Sequence, residues 1–340
     1  MTVPYVMRPA RLDDFDALMT LAEESGPGFT SLPVHEGIIR ERLSKSEKSF
    51  SGDLDQPQYG KYLMMMVNHE TGEVGGCSAV KAGTGIDQPF FNYRVITVAQ
   101  ASQAADRRHD MDALILTNEF VGFTEVGTLF LRPAHRGGGA GRLAAQSRYL
   151  FMASCPDRFG DMVLAELRGV VDSRGNTPFW DAIGQHFFQM SFTEADILSA
   201  VTDNQFILDL MPKYPIYVDL LPPEAREVIG RCHADGVGAL KLLEWEGFRF
   251  ERTVDIFDGG PLVAAPRKLI RTIRESRLVK LVEGEADGET GLVSNDHFND
   301  IRVSLIDGAS RGDDEFVTSK AVLDRLRLSS GSTARLWLRS

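Results

Sequence analysis

Leu129-Phe130-Leu131-Arg132-Pro133-Ala134-His135-Arg136-Gly137-Gly138-Gly139-Ala140-Gly141-Arg142-Leu143 is the stretch that decides how this chain reads. An apolar run ends at Pro133 and a glycine-rich turn follows. Leu143, Leu150 and Phe151 then recur at helical spacing. Glycine lacks Cβ, so such a turn lets the backbone approach a ligand closely. The first N–H groups of the helix have no partner inside it and, with the helix dipole, favour a phosphate. The stretch therefore suggests a pyrophosphate cradle. A dinucleotide fingerprint fits poorly, because no full G-x-G-x-x-G follows a strand with an acidic residue at the right distance. A Walker loop fails, because no Gly-Lys-Ser/Thr closes the turn.

A third pattern fits better. Arg136-x-x-Gly139-x-Gly141, after a strand and opening a helix, resembles the acyl-CoA pyrophosphate loop of the GNAT superfamily of acyl-CoA-dependent N-acyltransferases. The resemblance implies an α/β (α+β) fold built on a mixed sheet. There the strands before and after the loop splay apart and CoA enters the gap. Leu131, Arg136, Gly137, Gly139 and Gly141 are the expected CoA-binding positions of the loop.

Composition sets bounds. With 340 residues the chain is long enough for about two domains. Its 48 acidic against 37 basic residues give a net charge of −11, which argues against nucleic-acid binding through bulk positive charge. Cys77, Cys155 and Cys232 are scattered without a CxxC pair, so neither a disulfide framework nor a metal site is expected. No signal peptide and no apolar run of transmembrane length is legible. A cytoplasmic protein that binds no membrane is the expectation.

Taken in order, Tyr5–Pro9 reads as a strand, and Phe15, Leu18, Leu21 and Ala22 mark a helix face after Asp13-Asp14. Ser25 to Pro33 is turn-rich, and a second helix turns Ile38, Ile39 and Leu43 inward. Tyr62–Val67 and Val74–Val80 read as a hairpin turning at His69 to Gly72. Phe91–Val98, Leu114–Thr117, Thr124–Leu131, Met162–Val171 and Phe187–Phe192 read as further strands, with a short helix at Asn176–Ile183. Gly238–Phe248 is a helix ended by Gly247, and a strand near Phe248–Ile256 precedes the turn Asp258-Gly259-Gly260-Pro261. Leu278–Val282, Ile301–Ile306 and Ala334–Leu338 look like short strands. The expected organisation is an acyl-CoA-binding domain over 1–200, an extension over 201–262, and a smaller β-rich C-terminal subdomain over 263–340.

Several stretches together narrow the family. They include Gly28-Phe29-Thr30-Ser31-Leu32-Pro33, Asn92-Tyr93-Arg94-Val95, Thr128-Leu129-Phe130-Leu131, Ser147-Arg148 and Pro178-Phe179-Trp180. Later come Leu210 through Tyr217, Gly230-Arg231-Cys232-His233, Glu246-Gly247-Phe248 and Asp255 through Pro261. The series, in this order over nearly the whole chain, resembles the bacterial arginine N-succinyltransferase family. That resemblance implies succinyl transfer from succinyl-CoA to the α-amino group of L-arginine. Succinyl-CoA would be a co-substrate, with no other cofactor. It further implies that Leu129 contacts succinyl-CoA and that His233 is the proton donor. A homo-oligomer, or a hetero-oligomer with a homologous subunit, is the expected assembly.

The chemistry asks for such residues. Amide formation from a thioester needs a neutral amine, a stabilised oxyanion and a proton for the leaving thiolate. Histidine titrates near neutrality and suits the proton steps. Among the seven histidines, His69 and His297 fall in turns, His109 in a charged stretch and His186 between a helix and an expected strand. His135 adjoins the loop, where it could touch phosphate. Residue types alone do not single out His233; the resemblance does. Glu125 is the runner-up, because many GNAT relatives use a carboxylate on this strand through water. Arg94 and Arg168 are candidate partners for a substrate carboxylate, and Asp255 and Asp258 for a guanidinium. Another amine such as ornithine, or a non-catalytic role beside an active paralogue, stays open.

Overall fold

The computed structural model describes residues 4–26, 29, 31–172, 175–202 and 205–339. The expected loop segment around Gly28 and Thr30 therefore lies partly outside the described residues. Among these residues, fifteen strands join one continuous mixed sheet flanked by helices.

The first half supplies its centre. In order come β1 (Tyr5–Pro9), α1 (Phe15–Ser25), α2 (Glu36–Ser51), β2 (Lys61–Asn68), β3 (Val74–Lys81), β4 (Asn92–Ser102) and β5 (Arg107–Thr117). Next are β6 (Thr124–Leu131), α3 (Ala140–Ser154) and β7 (Met162–Glu166). β2 is apolar from residue 62 to 67 because both its faces are covered there. Tyr62, Met64 and Met66 face one core with Leu143, Leu150 and Phe151 of α3. Leu63, Met65 and Val67 face the other, with Leu18 and Leu21 of α1 and Ile39 and Leu43 of α2.

The second half begins with α4 (Pro178–Ala182), α5 (Gly184–Phe188), α6 (Phe192–Val201), α7 (Gln205–Leu210), β8 (Ile216–Tyr217), α8 (Pro223–Val228) and α9 (Val237–Glu246). Then come β9 (Arg249–Asp255), β10 (Pro261–Pro266), α10 (Arg271–Glu275), β11 (Arg277–Glu283), β12 (Glu289–Ser294), β13 (Val303–Arg311), β14 (Glu315–Thr318), α11 (Lys320–Leu326) and β15 (Thr333–Leu338). Trp180 and Phe179 of α4 anchor a third core with Tyr93 of β4 and Val254 of β9.

The sheet runs β12-β15-β11-β14-β13-β1-β2-β3-β6-β7-β10-β9-β4-β5-β8. Its C-terminal group, β11 to β15 with α11, has its own core of Leu281, Val293, Ile306, Phe316, Leu323 and Leu326. Pairing of β1 with β13, Val6 opposite Ser304 and Met7 opposite Val303, ties that group to the centre.

The strand expected over Phe187–Phe192 is not one. Phe188 ends α5, Gln189 is left-handed at φ 54°, and α6 starts at Phe192. The cause is a capping box. Ser191 accepts from the Glu194 N–H while the Glu194 carboxylate accepts from the Ser191 N–H, and this outweighs the aromatic run. The expected strand at Met162–Val171 stops at Glu166. Among the described residues no helix is long and apolar enough to cross a membrane.

Candidate active site

β6 and β7 are parallel neighbours for only two positions, Thr124 opposite Val163 and Glu125 opposite Leu164. Beyond these β6 runs on to Leu131 while β7 ends, and the strands part. A cavity of about 1610 Å³ opens there, larger than the ~300–1,000 Å³ usual for a single ligand. The gap is the one the superfamily resemblance implies.

The glycine turn stands at its mouth. Gly137, Gly138 and Gly139 have φ of 98°, 56° and 92°, a run of left-handed backbone that side chains resist. Leu129, Leu131, Arg136, Gly137 and Gly141 all line the cavity. Gly139 does not. It caps α3, and a Cβ there would approach Leu305 of β13 at 3.3 Å, so it packs beneath the turn. His135 faces away from the cavity. Its ring is held by the Tyr5 hydroxyl at 2.7 Å and Glu73 at 3.1 Å.

β6 carries a bulge. Cys77 pairs with Phe130 but Ala79 with Gly127, so Thr128 and Leu129 together face Ser78 alone. Thr128 sits at φ 50°, an outlier for a β-branched residue. Such strain gathers at functional sites. Glu125 precedes the bulge, lines the cavity and accepts from Thr84 Oγ1 at 3.3 Å.

His233 lines the same cavity from the turn before α9. Its N–H donates to the Arg168 carbonyl at 2.8 Å, and its Nδ1 accepts from the Asp235 N–H at 3.2 Å. Burial, then the Arg168 charge, lower its pKa from 6.5 against the opposing pull of Asp235. The ring is therefore mostly neutral at pH 7. With Nδ1 accepting, the neutral ring carries its proton on Nε2. Burial and then Asp258 push the adjacent Cys232 thiol up to about 11, which disfavours its thiolate.

One end of the cavity is acidic. Glu166 at the end of β7, Asp255 at the end of β9, Asp258 in the turn after it, and Asp196 on α6 all line it. A Cβ on Gly260 would lie 2.1 Å from the Leu167 carbonyl, which requires glycine in this turn. The tight turn lets Asp258 accept from the N–H groups of Gly169 and Gly260 at 2.7 and 2.8 Å. Asp255 accepts from those of Phe257 and Asp258 at 2.7 and 2.8 Å. Burial, and then the Asp255 charge, hold Glu166 and Asp258 well above the usual carboxylate range. Asp196 is lifted to about 6 by burial and Asp255. Arg168 borders this group, with its Nε buried and unpartnered. Arg94 lies elsewhere, in a two-bond pair with Glu119 at 2.7 Å.

This chain resembles known proteins along its whole length. Residues 5–272 match the family model described as arginine N-succinyltransferase beta subunit, and residues 274–337 match its C-terminal domain. The chain belongs to the arginine N-succinyltransferase family. An arginine N-succinyltransferase of Salmonella paratyphi B is 40% identical over 334 residues, covering 97% of this chain and 96% of the relative. One from Escherichia coli is 39% identical over the same span. The solved arginine/ornithine succinyltransferase subunit AI of Pseudomonas aeruginosa superposes with a TM-score of 0.89 at 32% identity, over 98% of both chains. This arginine N-succinyltransferase family member is thus an acyl-CoA-dependent N-acyltransferase of mixed α/β fold.

Sequence reasoning did not single out Glu166 and Asp196, whose meeting depends on strand ends far apart in the chain. Nor did it weigh Arg148, although a charge beside Tyr149-Leu150-Phe151-Met152 on an apolar helix is a visible irregularity.

Proposed function

We propose that the chain transfers succinyl from succinyl-CoA to the α-amino group of L-arginine by direct attack, with His233 handling the proton. The carrying observation is a single cavity lined by the glycine turn, His233 and an acidic end. CoA pyrophosphate meets the first N–H groups of α3 and Arg136. The arm of CoA follows β6 past Leu129 and Leu131. The arginine guanidinium lies toward Glu166, Asp196, Asp255 and Asp258, and Arg168 takes its carboxylate.

The amine nitrogen forms its bond to the thioester carbonyl, and the carbonyl–sulfur bond breaks. The incoming nitrogen sheds a proton and the CoA thiolate gains one. A neutral His233 takes up the first on Nδ1, displacing the Asp235 N–H, and, as imidazolium beside Asp235, gives a proton from Nε2 to sulfur. The raised pKa of Cys232 supports direct transfer over an acyl-enzyme. A thioester is already activated, so succinyl-CoA enters as co-substrate without a further cofactor. Glu125, acting through water, is the alternative base.

The test is turnover by the isolated chain, with free CoA detected by a thiol reagent and the product by mass. Succinylarginine at a rate that collapses in His233→Ala supports the reading. An isolated chain that is folded but inactive points to a subunit working beside an active paralogue. Ornithine is the second amine to assay, since the solved Pseudomonas relative is an arginine/ornithine succinyltransferase subunit.

A further inference from the structure

A succinyl group differs from an acetyl group by a terminal carboxylate, and a site that prefers it must answer that charge. The cavity holds several cations, most already answered. Lys61 and Lys81 both pair with Asp87, and Lys45 with Glu41. Arg168, under the charges of Asp258 and Asp235, is assigned above to the arginine carboxylate, and Arg42 has Glu125. Arg136, exposed at the turn, is placed for phosphate.

Arg148 is different. It is 3% exposed, on the face of α3 that lines the cavity. Its Nε donates to the Ala145 carbonyl at 3.0 Å and its Nη1 reaches the Gly127 carbonyl at 3.5 Å. Among the described residues it forms no ion pair. The acid nearest in effect, Glu246, is engaged by Gln146 at 2.8 Å and by Thr272 at 2.6 and 2.8 Å. A buried cation facing neutral carbonyls is costly unless an anion completes it. Its position suits an acyl end. Eight residues of helix put it ~12 Å from the start of α3. Four residues of strand put Gly127 ~13 Å from Leu131. Both lie one pantetheine-like reach from the turn, beside the Thr128 bulge.

We propose that Arg148 binds the terminal carboxylate of the succinyl group and sets the preference for a dicarboxylic acyl donor. This rests on the succinyl-transfer reading above. The test compares kcat/KM for succinyl-CoA and acetyl-CoA, at saturating arginine, in wild type, Arg148→Gln, Arg148→Lys and Arg42→Gln. Arg148→Gln should lose roughly ten- to a hundredfold for succinyl-CoA while acetyl-CoA changes little, since a charge-assisted bond is lost. Arg148→Lys keeps the charge without the planar fork and should fall between. It also carries the test if the Gln variant does not fold. Arg42→Gln should keep the wild-type preference. An equal fall for both donors, an unchanged preference in both Arg148 variants, or a collapse confined to Arg42→Gln overturns the proposal. A wild type that shows no succinyl preference overturns the underlying reading instead.

Discussion

Asp196→Asn separates what the acidic end of the cavity does for binding from what it does to the fold. Burial, then the Asp255 charge, lift the Asp196 carboxyl from 3.8 to about 6. A carboxyl with a raised folded-state pKa keeps its proton longer in the folded chain than in the unfolded one. Its stability contribution is therefore neutral below about pH 4, is lost as pH rises towards 6, and stays lost above. Two units at ~1.36 kcal/mol each set an upper limit near ~3 kcal/mol. Solvent in the cavity screens this to about 1–2 kcal/mol. Asn has nearly the same shape and never ionises. Urea unfolding should show the variant more stable than wild type by that amount at pH 8, with the gap closing towards pH 4. The same variant should raise KM for arginine about tenfold and leave KM for succinyl-CoA nearly unchanged. A stability gap that ignores pH, or an unchanged KM for arginine, refutes the reasoning.

Gly141→Asp places a carboxylate where pyrophosphate should sit. Its Cβ meets only Leu131, at 3.6 Å, so the variant should fold. Calorimetry should show CoA affinity reduced about tenfold or more, and wild-type affinity would remove the cradle assignment. His233→Ala should lower kcat on the order of 100-fold with little change in either KM, and should remove an acid limb of the kcat profile whose apparent pKa lies below 6.5. A folded variant retaining half of wild-type kcat shifts attention to Glu125. Ser191→Ala should cost about 1 kcal/mol in denaturant unfolding, and no loss would mean the capping box does not hold α6.

Local signals were legible and distant meetings were not. The glycine turn after an apolar run located the loop and the helix, because each depends on neighbours in sequence, whereas the splayed strands were implied only by the family resemblance. The aromatic run at Phe187–Phe192 misled, because a four-residue cap, Ser191 to Glu194, decided between two regular structures. β12 and β14 were missed. They are short, with Glu289 and Glu315 at their starts, and become strands by pairing with β13 and β11. Asp255 and Asp258 could be suspected from a turn motif, but Glu166 joins them only because β10 lies between β7 and β9.

The β1–β13 seam has a consequence for synthesis. β1 leaves the ribosome long before β13, yet one of its edges is completed by residues nearly three hundred positions later. Until β13 arrives, that edge presents unpaired N–H and C=O groups, the kind of template on which chains associate wrongly. Leu305, which backs Gly139 beneath the glycine turn, comes with the same late strand. The nascent chain thus carries its loop sequence early but gains the support for it last. Slow, long-range closure and dependence on chaperoning are the expected signature of this topology.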